Sequence, residues 1–253
     1  MTEQALTPSP TAAGPEAAPG GSWLSDLLGL YFSPGESFPG LLRRGNFWAP
    51  FLIWVSLSCV FTGIWLKKVD ANEFVKMQIE ASGRMEQIPP DRRDEIISRQ
   101  AGMMNAFGWA GAVAGPLVVA LVIAVVLHFV FRFFYASETS FRQGLTIVTS
   151  AFAAMALVTT PLLLAVFALK GDWNINPQEA IQANLSLLFE KESLAKPLWS
   201  LAGSLDLFSF WGIFLLAAGY GAAAKRGAGW AAAGVVVPWA LWVLVKAGFA
   251  AIF

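Results

Sequence analysis

The chain has 253 residues, 56% of them hydrophobic and 13% charged, with 11 tryptophans and 20 phenylalanines. This is far more apolar surface than a water-soluble domain of that length buries, and it reads as a polytopic membrane protein. Seventeen basic and seventeen acidic residues give a net charge of zero with no strongly basic tract, so nothing points to a nucleic-acid partner. One cysteine, Cys59, excludes an intramolecular disulfide, and one histidine, His128, leaves too few ligands for common transition-metal sites; no cofactor or metal is expected.

Residues 1–21, MTEQALTPSPTAAGPEAAPGG, have neither a basic n-region nor an apolar h-region, so they do not form a cleavable signal. They lack the large apolar residues whose burial offsets ordering entropy, which predicts a disordered tail. Over 22–46, Trp23, Leu27, Leu30 and Tyr31 recur at helical spacing and Arg43 and Arg44 close the segment. It is too short to cross a bilayer, which predicts an amphipathic helix lying in the interface plane.

Five spans are expected within 47–253: about 47–66, 107–135, 144–169, 199–224 and 228–253. Trp48 and Trp65 bracket the first at belt positions. The internal prolines Pro116, Pro161 and Pro238 are tolerable because neighbouring helices and hydroxyl side chains can satisfy the freed carbonyls. Two connections are long and polar. Residues 67–106 carry seven basic and seven acidic residues, with Pro90 placed to open a second helix of a polar hairpin; residues 170–198 contain the apolar stretch ANLSLLF, able to touch the interface. The fold class is therefore all-α: a polytopic bundle of five transmembrane helices preceded by an interfacial amphipathic helix.

With the N-terminus in the cytoplasm, that side receives Arg43, Arg44, Arg132, Arg142, Lys225 and Arg226, and the opposite side receives ten basic residues in the two long loops. The raw count opposes the positive-inside rule. The long loops are charge-balanced, however, whereas the runs LLRR and KRGAG have no acidic neighbour, and on that ground a cytoplasmic N-terminus and an outer C-terminus are expected.

Asp206 stands inside an apolar run, where a charge costs several kcal/mol unless compensated. It lies twenty residues before Arg226 and Lys246 lies twenty after, so in an antiparallel hairpin they share a depth. That depth is roughly 30 Å from the turn, about one hydrocarbon thickness. The expected outcome is an interfacial ion pair, or two separately snorkelling charges, that fixes the hairpin register. The sharper alternative places Asp206 in an ion or proton path lined by Thr159, Thr160, Ser209 and Lys246. His128 shares a helix face with Arg132 near an interface, which suits contact with lipid phosphates better than a relay; it is the remaining polar group available to such a path. Gly111 and Gly115 form a GxxxG, and with Gly219 and Gly221 they are expected to serve packing within the bundle more than dimerisation. No phosphate loop, HExxH or GxSxG occurs.

The run SLDLFSFWGIFLLAAGYG, with NPQEAIQANLSLLF before it and FRQGLTIVTSAFAAMALVTTPLLL in the third span, resembles bacterial members of the Yip (Ypt-interacting protein) domain family. The stretch YFSPGESFPGLLRRGNFWAPFLI is similar to the family's approach to its first span. The likeness covers about residues 30–253, and Asp206, Leu207, Phe208 and Trp211 are its most specific part. It implies a five-helix bundle with a cytoplasmic N-terminus. Eukaryotic relatives act in vesicle traffic and bind Rab-type GTPases, but their Asp-Leu-Tyr-Gly-Pro signature is absent here, the nearest stretch being GNFWAP, so Rab binding does not carry over. The function expected is that of a non-enzymatic integral membrane protein, membrane-organising or partner-binding, in a bacterial cytoplasmic membrane. Its partners would be the lipid bilayer and other membrane proteins or copies of itself. The alternative is a small transporter or channel subunit with Asp206 in a polar path.

Overall fold

A computed structural model of the protein describes residues 22–181, 183–190 and 193–252. The tail expected over 1–21 lies outside the described residues, as does Phe253 at the end of the fifth expected span. The elements in chain order are α1 (Trp23–Gly29), α2 (Pro34–Arg44), α3 (Trp48–Leu66), α4 (Ala71–Ala81), α5 (Arg93–Phe133), α6 (Phe141–Lys170), α7 (Pro177–Ala180), α8 (Lys196–Ser204), α9 (Leu207–Ala223) and α10 (Ala228–Ile252). Among the described residues there is no β-strand, only an isolated antiparallel bridge between Asn184 and Asp206.

Local chemistry sets the helix ends. Ser140 and Gln143 form a reciprocal capping box at the start of α6, and Gly171 ends it in the left-handed region. Asp70 caps α4 through the Asn72 and Glu73 amides. Pro90 opens a 3-10 turn that runs into α5, so the polar connection 67–106 holds α4, two short turns and the first part of α5. Val75, Ile79 and Ile97 form a small apolar cluster between α4 and α5.

Four helices are long and apolar enough to cross a membrane: α3, α5 with the turn before it, α6 and α10. The span expected over 199–224 is not continuous. It breaks at Leu205 and Asp206 into α8 and the 17-residue α9. The physical reason is Asp206 itself, which holds an extended backbone and turns its side chain onto the first amides of α9.

The segment over 22–46 also departs from expectation. The chain turns at 30–33, and α1 and α2 fold back on each other with Gly29 against Ser37 and Gly40 against Asp26. Leu27, Leu30, Phe38 and Leu41 are each at most 1% exposed and join the main core with residues of α6 and α9. The Tyr31 hydroxyl donates to the Ala154 carbonyl at 2.6 Å, while at the other end the Arg142 guanidinium donates to the Gly45 carbonyl at 2.9 Å. Twelve residues of α6 separate those contacts, roughly 18 Å at 1.5 Å per residue. The hairpin therefore runs along the bundle instead of lying flat across its end. Two short helices bury both apolar faces in this way, where one flat helix would bury one.

The centre is built for close approach. Ala151, Ala153 and Ala154 of α6 are fully buried, and a Cβ on Gly219 would stand 2.4 Å from Ile147 Cγ2 and 3.1 Å from Phe38 Cε1. At the last turn, Gly221 lies against the Gly227 backbone. Rings fill the remaining space: Trp54 stacks on Phe152 at 4.7 Å and Phe131 on Tyr220 at 4.3 Å. Packing within the bundle thus accounts for Gly219 and Gly221. It does not account for Gly111 and Gly115, where an added Cβ would meet nothing within 4 Å.

Gly219→Ala should cost about 1–3 kcal/mol through overpacking against Ile147, a β-branched neighbour with little room to yield. Gly102→Ala, which meets open space within helical backbone, should instead gain up to about 1 kcal/mol. Thermal unfolding of the detergent-solubilised variants checks both signs, and equal behaviour of the two would contradict the packing described.

Candidate functional site

The site grows from the break between α8 and α9. A broken helix leaves amides and carbonyls that cost several kcal/mol if unsatisfied near hydrocarbon. Here the connection between α6 and α8 supplies partners: the Leu207 amide donates to the Ala183 carbonyl at 3.1 Å, and the Leu185 amide donates to the Leu205 carbonyl at 3.2 Å. Asp206 Oδ1 accepts from the Phe208 and Ser209 amides, both at 2.9 Å, and the Ser209 hydroxyl donates to Oδ2. A carboxylate at a helix N-terminus also meets the positive end of the helix dipole. Asp206 is thus the N-cap of α9.

Lys246 reaches the same junction from α10. Its ammonium donates to Ser204 Oγ at 2.9 Å, and Ser204 Oγ in turn donates to the Ser200 carbonyl at 2.8 Å. The pairing of α9 with α10 is antiparallel, with Phe210 and Trp239 rings 5.9 Å apart, so the two charges arrive at one level. They do not form the direct ion pair expected from the hairpin geometry. The Asp206 oxygens are turned to their own helix terminus, and Lys246 takes the hydroxyl two residues earlier.

The remaining motif residues divide their work. Leu207 points outward and is 66% exposed, while the Trp211 ring lies 5.8 Å from that of Tyr31 at the tip of the α1–α2 hairpin. The spacing from Asp206 to Trp211 therefore joins two features: the cap that starts α9 and the ring that receives the hairpin.

The other polar groups considered for a path do not meet there. Thr159 and Thr160 line a cleft of about 410 Å³ with Ser58 and Thr62, between α3, α5 and α6. Ser209 belongs to the α9 cap. His128 lies near the opposite end of α5, edge-on to Phe141 with ring centroids 5.8 Å apart. Among the described residues no three His, Cys, Asp or Glu side chains gather in a metal-binding group.

Sequence reasoning missed three contributors. Ser204 stands between Lys246 and α8, Tyr31 anchors the hairpin to Ala154, and residues 183–185 staple the break. The first had a signal, since the run SLD is where an apolar helix acquires a cap; the pairing of 183–185 with 205–207 had none.

The Yip1 domain profile matches residues 28–250, nearly the whole chain. The chain belongs to the Yip1 domain family. No curated protein matches it significantly, and no solved structure does. The matched region takes in the tip of the α1–α2 hairpin, the four long apolar helices and the break with Asp206 and Lys246, and this Yip1-domain chain is an integral membrane protein.

A double-mutant cycle distinguishes the observed arrangement from an ion pair. Asp206→Ala should cost about 1–2 kcal/mol through loss of the cap. Its coupling to Lys246→Met should stay under about 0.5 kcal/mol, because the two groups do not touch. Denaturation in detergent measures both; a coupling several times larger would mean that the charges pair after all.

Proposed function

We propose that this Yip1-domain protein is non-enzymatic and acts as a membrane-organising or partner-binding scaffold of five crossings. The observation that carries this reading is the commitment of Asp206: its carboxylate accepts three hydrogen bonds within its own helix terminus. A titrating relay needs a group free to exchange protons or ions with others in series. Lys246 is itself held by Ser204 Oγ, Thr159 and Thr160 line a separate cleft, and His128 lies toward the other end of the bundle.

The fifth crossing is α9. Seventeen residues give roughly 25 Å, the lower limit for a span, and Asp206 and Lys246 then mark its outer boundary. The stapling of residues 205–207 to the outer connection supports that placement, since it meets the backbone demand at the point where the helix leaves hydrocarbon. The basic residues Arg44, Arg142, Lys225 and Arg226 gather at the other end, which supports a cytoplasmic N-terminus. Because the site is structural, interaction with other membrane proteins falls to the exposed apolar faces, and we take the host membrane to be a bacterial cytoplasmic one.

Reconstituted into proteoliposomes, Asp206→Asn should lower the melting temperature slightly and leave ion or solute flux at the protein-free level, as for the unaltered chain. A flux carried by the unaltered protein and lost in Asp206→Asn would overturn the scaffold reading. Single cysteines placed beyond each helix end in a Cys59→Ser background, labelled with a membrane-impermeant thiol reagent from either side, test the five crossings; residues 206 and 226 on the same side would contradict them.

A further inference from the structure

At the end of the bundle opposite Asp206, the connection from α5 to α6 faces the turn from α9 to α10 across an opening of about 470 Å³. Its walls include Tyr135, Glu138, Gln143, Lys225, Arg226 and Trp230. Most basic side chains around it are engaged. Arg44 pairs with Asp26, Arg142 donates to the Gly45 carbonyl, and Arg132 reaches the Ser137 carbonyl at 3.5 Å. The Lys225 ammonium and Arg226 guanidinium, by contrast, make no hydrogen bond or ion pair with any described residue. Glu138 is the single carboxylate in the wall, and it pairs with neither, leaving two cations against one anion.

The walls are held in a costly shape. Among the described residues, the non-glycine positions with left-handed backbone are Ala136 (φ 47°) and Lys225 (φ 55°), one in each wall. Such a conformation is strained for a residue with a Cβ, and it persists where the surroundings enforce it. The base is firm: the Ser137 and Thr139 hydroxyls bond each other at 2.7 Å while buried, and Tyr135 meets Trp230 edge-on at 5.0 Å. Neither the Tyr135 hydroxyl nor the Trp230 indole N–H has a partner among the described residues. Tyr and Trp with an apolar body and a free polar tip are the residues of the headgroup level. Beside them Phe133 and Phe134 stand 68% and 77% exposed, a surface for acyl chains directly next to the cationic opening.

We propose that this opening binds the phosphate of an anionic membrane lipid. Lys225 and Arg226 hold the phosphate oxygens, the guanidinium through its paired N–H donors; Tyr135 and Trp230 donate at headgroup level, and the acyl chains run along Phe133 and Phe134. A free phosphate offers the same charge, but it would leave the aromatic apron unused.

The test uses the full chain in neutral detergent, titrated with phosphatidylglycerol, phosphatidylcholine or inorganic phosphate and read by native mass spectrometry and thermal shift. The unaltered protein should retain phosphatidylglycerol at least tenfold more strongly than phosphatidylcholine, and the paired substitution Lys225→Gln with Arg226→Gln should remove that preference. Arg43→Gln, which takes one exposed charge from the same end outside the opening, should keep it. Lys225→Gly should melt higher than the unaltered chain without lipid, because glycine accepts the left-handed backbone, and yet lose stabilisation by phosphatidylglycerol. Equal retention by the paired variant, or an equal loss in Arg43→Gln, would overturn the site. Stabilisation by inorganic phosphate without preference for phosphatidylglycerol would overturn the lipid assignment.

Discussion

Backbone amides and carbonyls in hydrocarbon have no water to turn to, and the arrangement of this chain follows from how it meets that demand where its helices stop. At the α8–α9 break, residues 183–185 lend an amide and a carbonyl while Asp206 covers the first amides of α9. At the tip of the α1–α2 hairpin, the chain reverses beside Ala154 with Tyr31 bonded to it and Trp211 against its ring. These two interruptions are neighbours: Trp211 is five residues from Asp206. The start of α9 and the seating of the hairpin are therefore one structural problem, which a conventional N-cap and an aromatic contact solve together.

Between those points, stability comes from shape. Lipid is as apolar as leucine, so the hydrophobic effect does little to press one spanning helix onto another, and close contact of small residues takes its place. Helix α6 is the hub: its buried alanines meet the hairpin and α9, and Phe152 stacks on Trp54 of α3. Gly219 and Gly144 remove side chains where Ile147, Phe38 and the Tyr220 hydroxyl press in. Many large apolar residues face outward, as on α10, where Leu241, Trp242 and Leu244 are all more than half exposed.

Charge is sorted by the ends of the bundle. One end holds Asp206 and Lys246, each satisfied by a neighbour that is not the other. At the other end Arg44 closes the α1–α2 hairpin on Asp26 and Arg142 ties it to α6, while the Lys225 and Arg226 side chains have no partner among the described residues. The first end reads as structure and the second as a surface that lipid completes.

Composition and hydropathy alone determined that the chain is an all-helical membrane protein, where its four long spans run, and that Asp206 and Lys246 share a level, because period, length and residue spacing are local properties. The resemblance carried by Asp206, Leu207, Phe208 and Trp211 pointed to the family that the profile match then established. Tertiary structure decided what those residues do. Whether an aspartate in an apolar run caps a helix or pairs with a lysine depends on where the helix breaks, and the break is stabilised by residues 20 and 24 positions away. Whether 22–46 lies flat or folds into a hairpin depends on a receiving surface contributed by α6 and α9. Whether small residues pack tightly, as Gly219 and Gly221 do, or leave room for a side chain, as at Gly111 and Gly115, depends on helix rotation, which hydrophobicity on all sides of a spanning helix leaves unspecified.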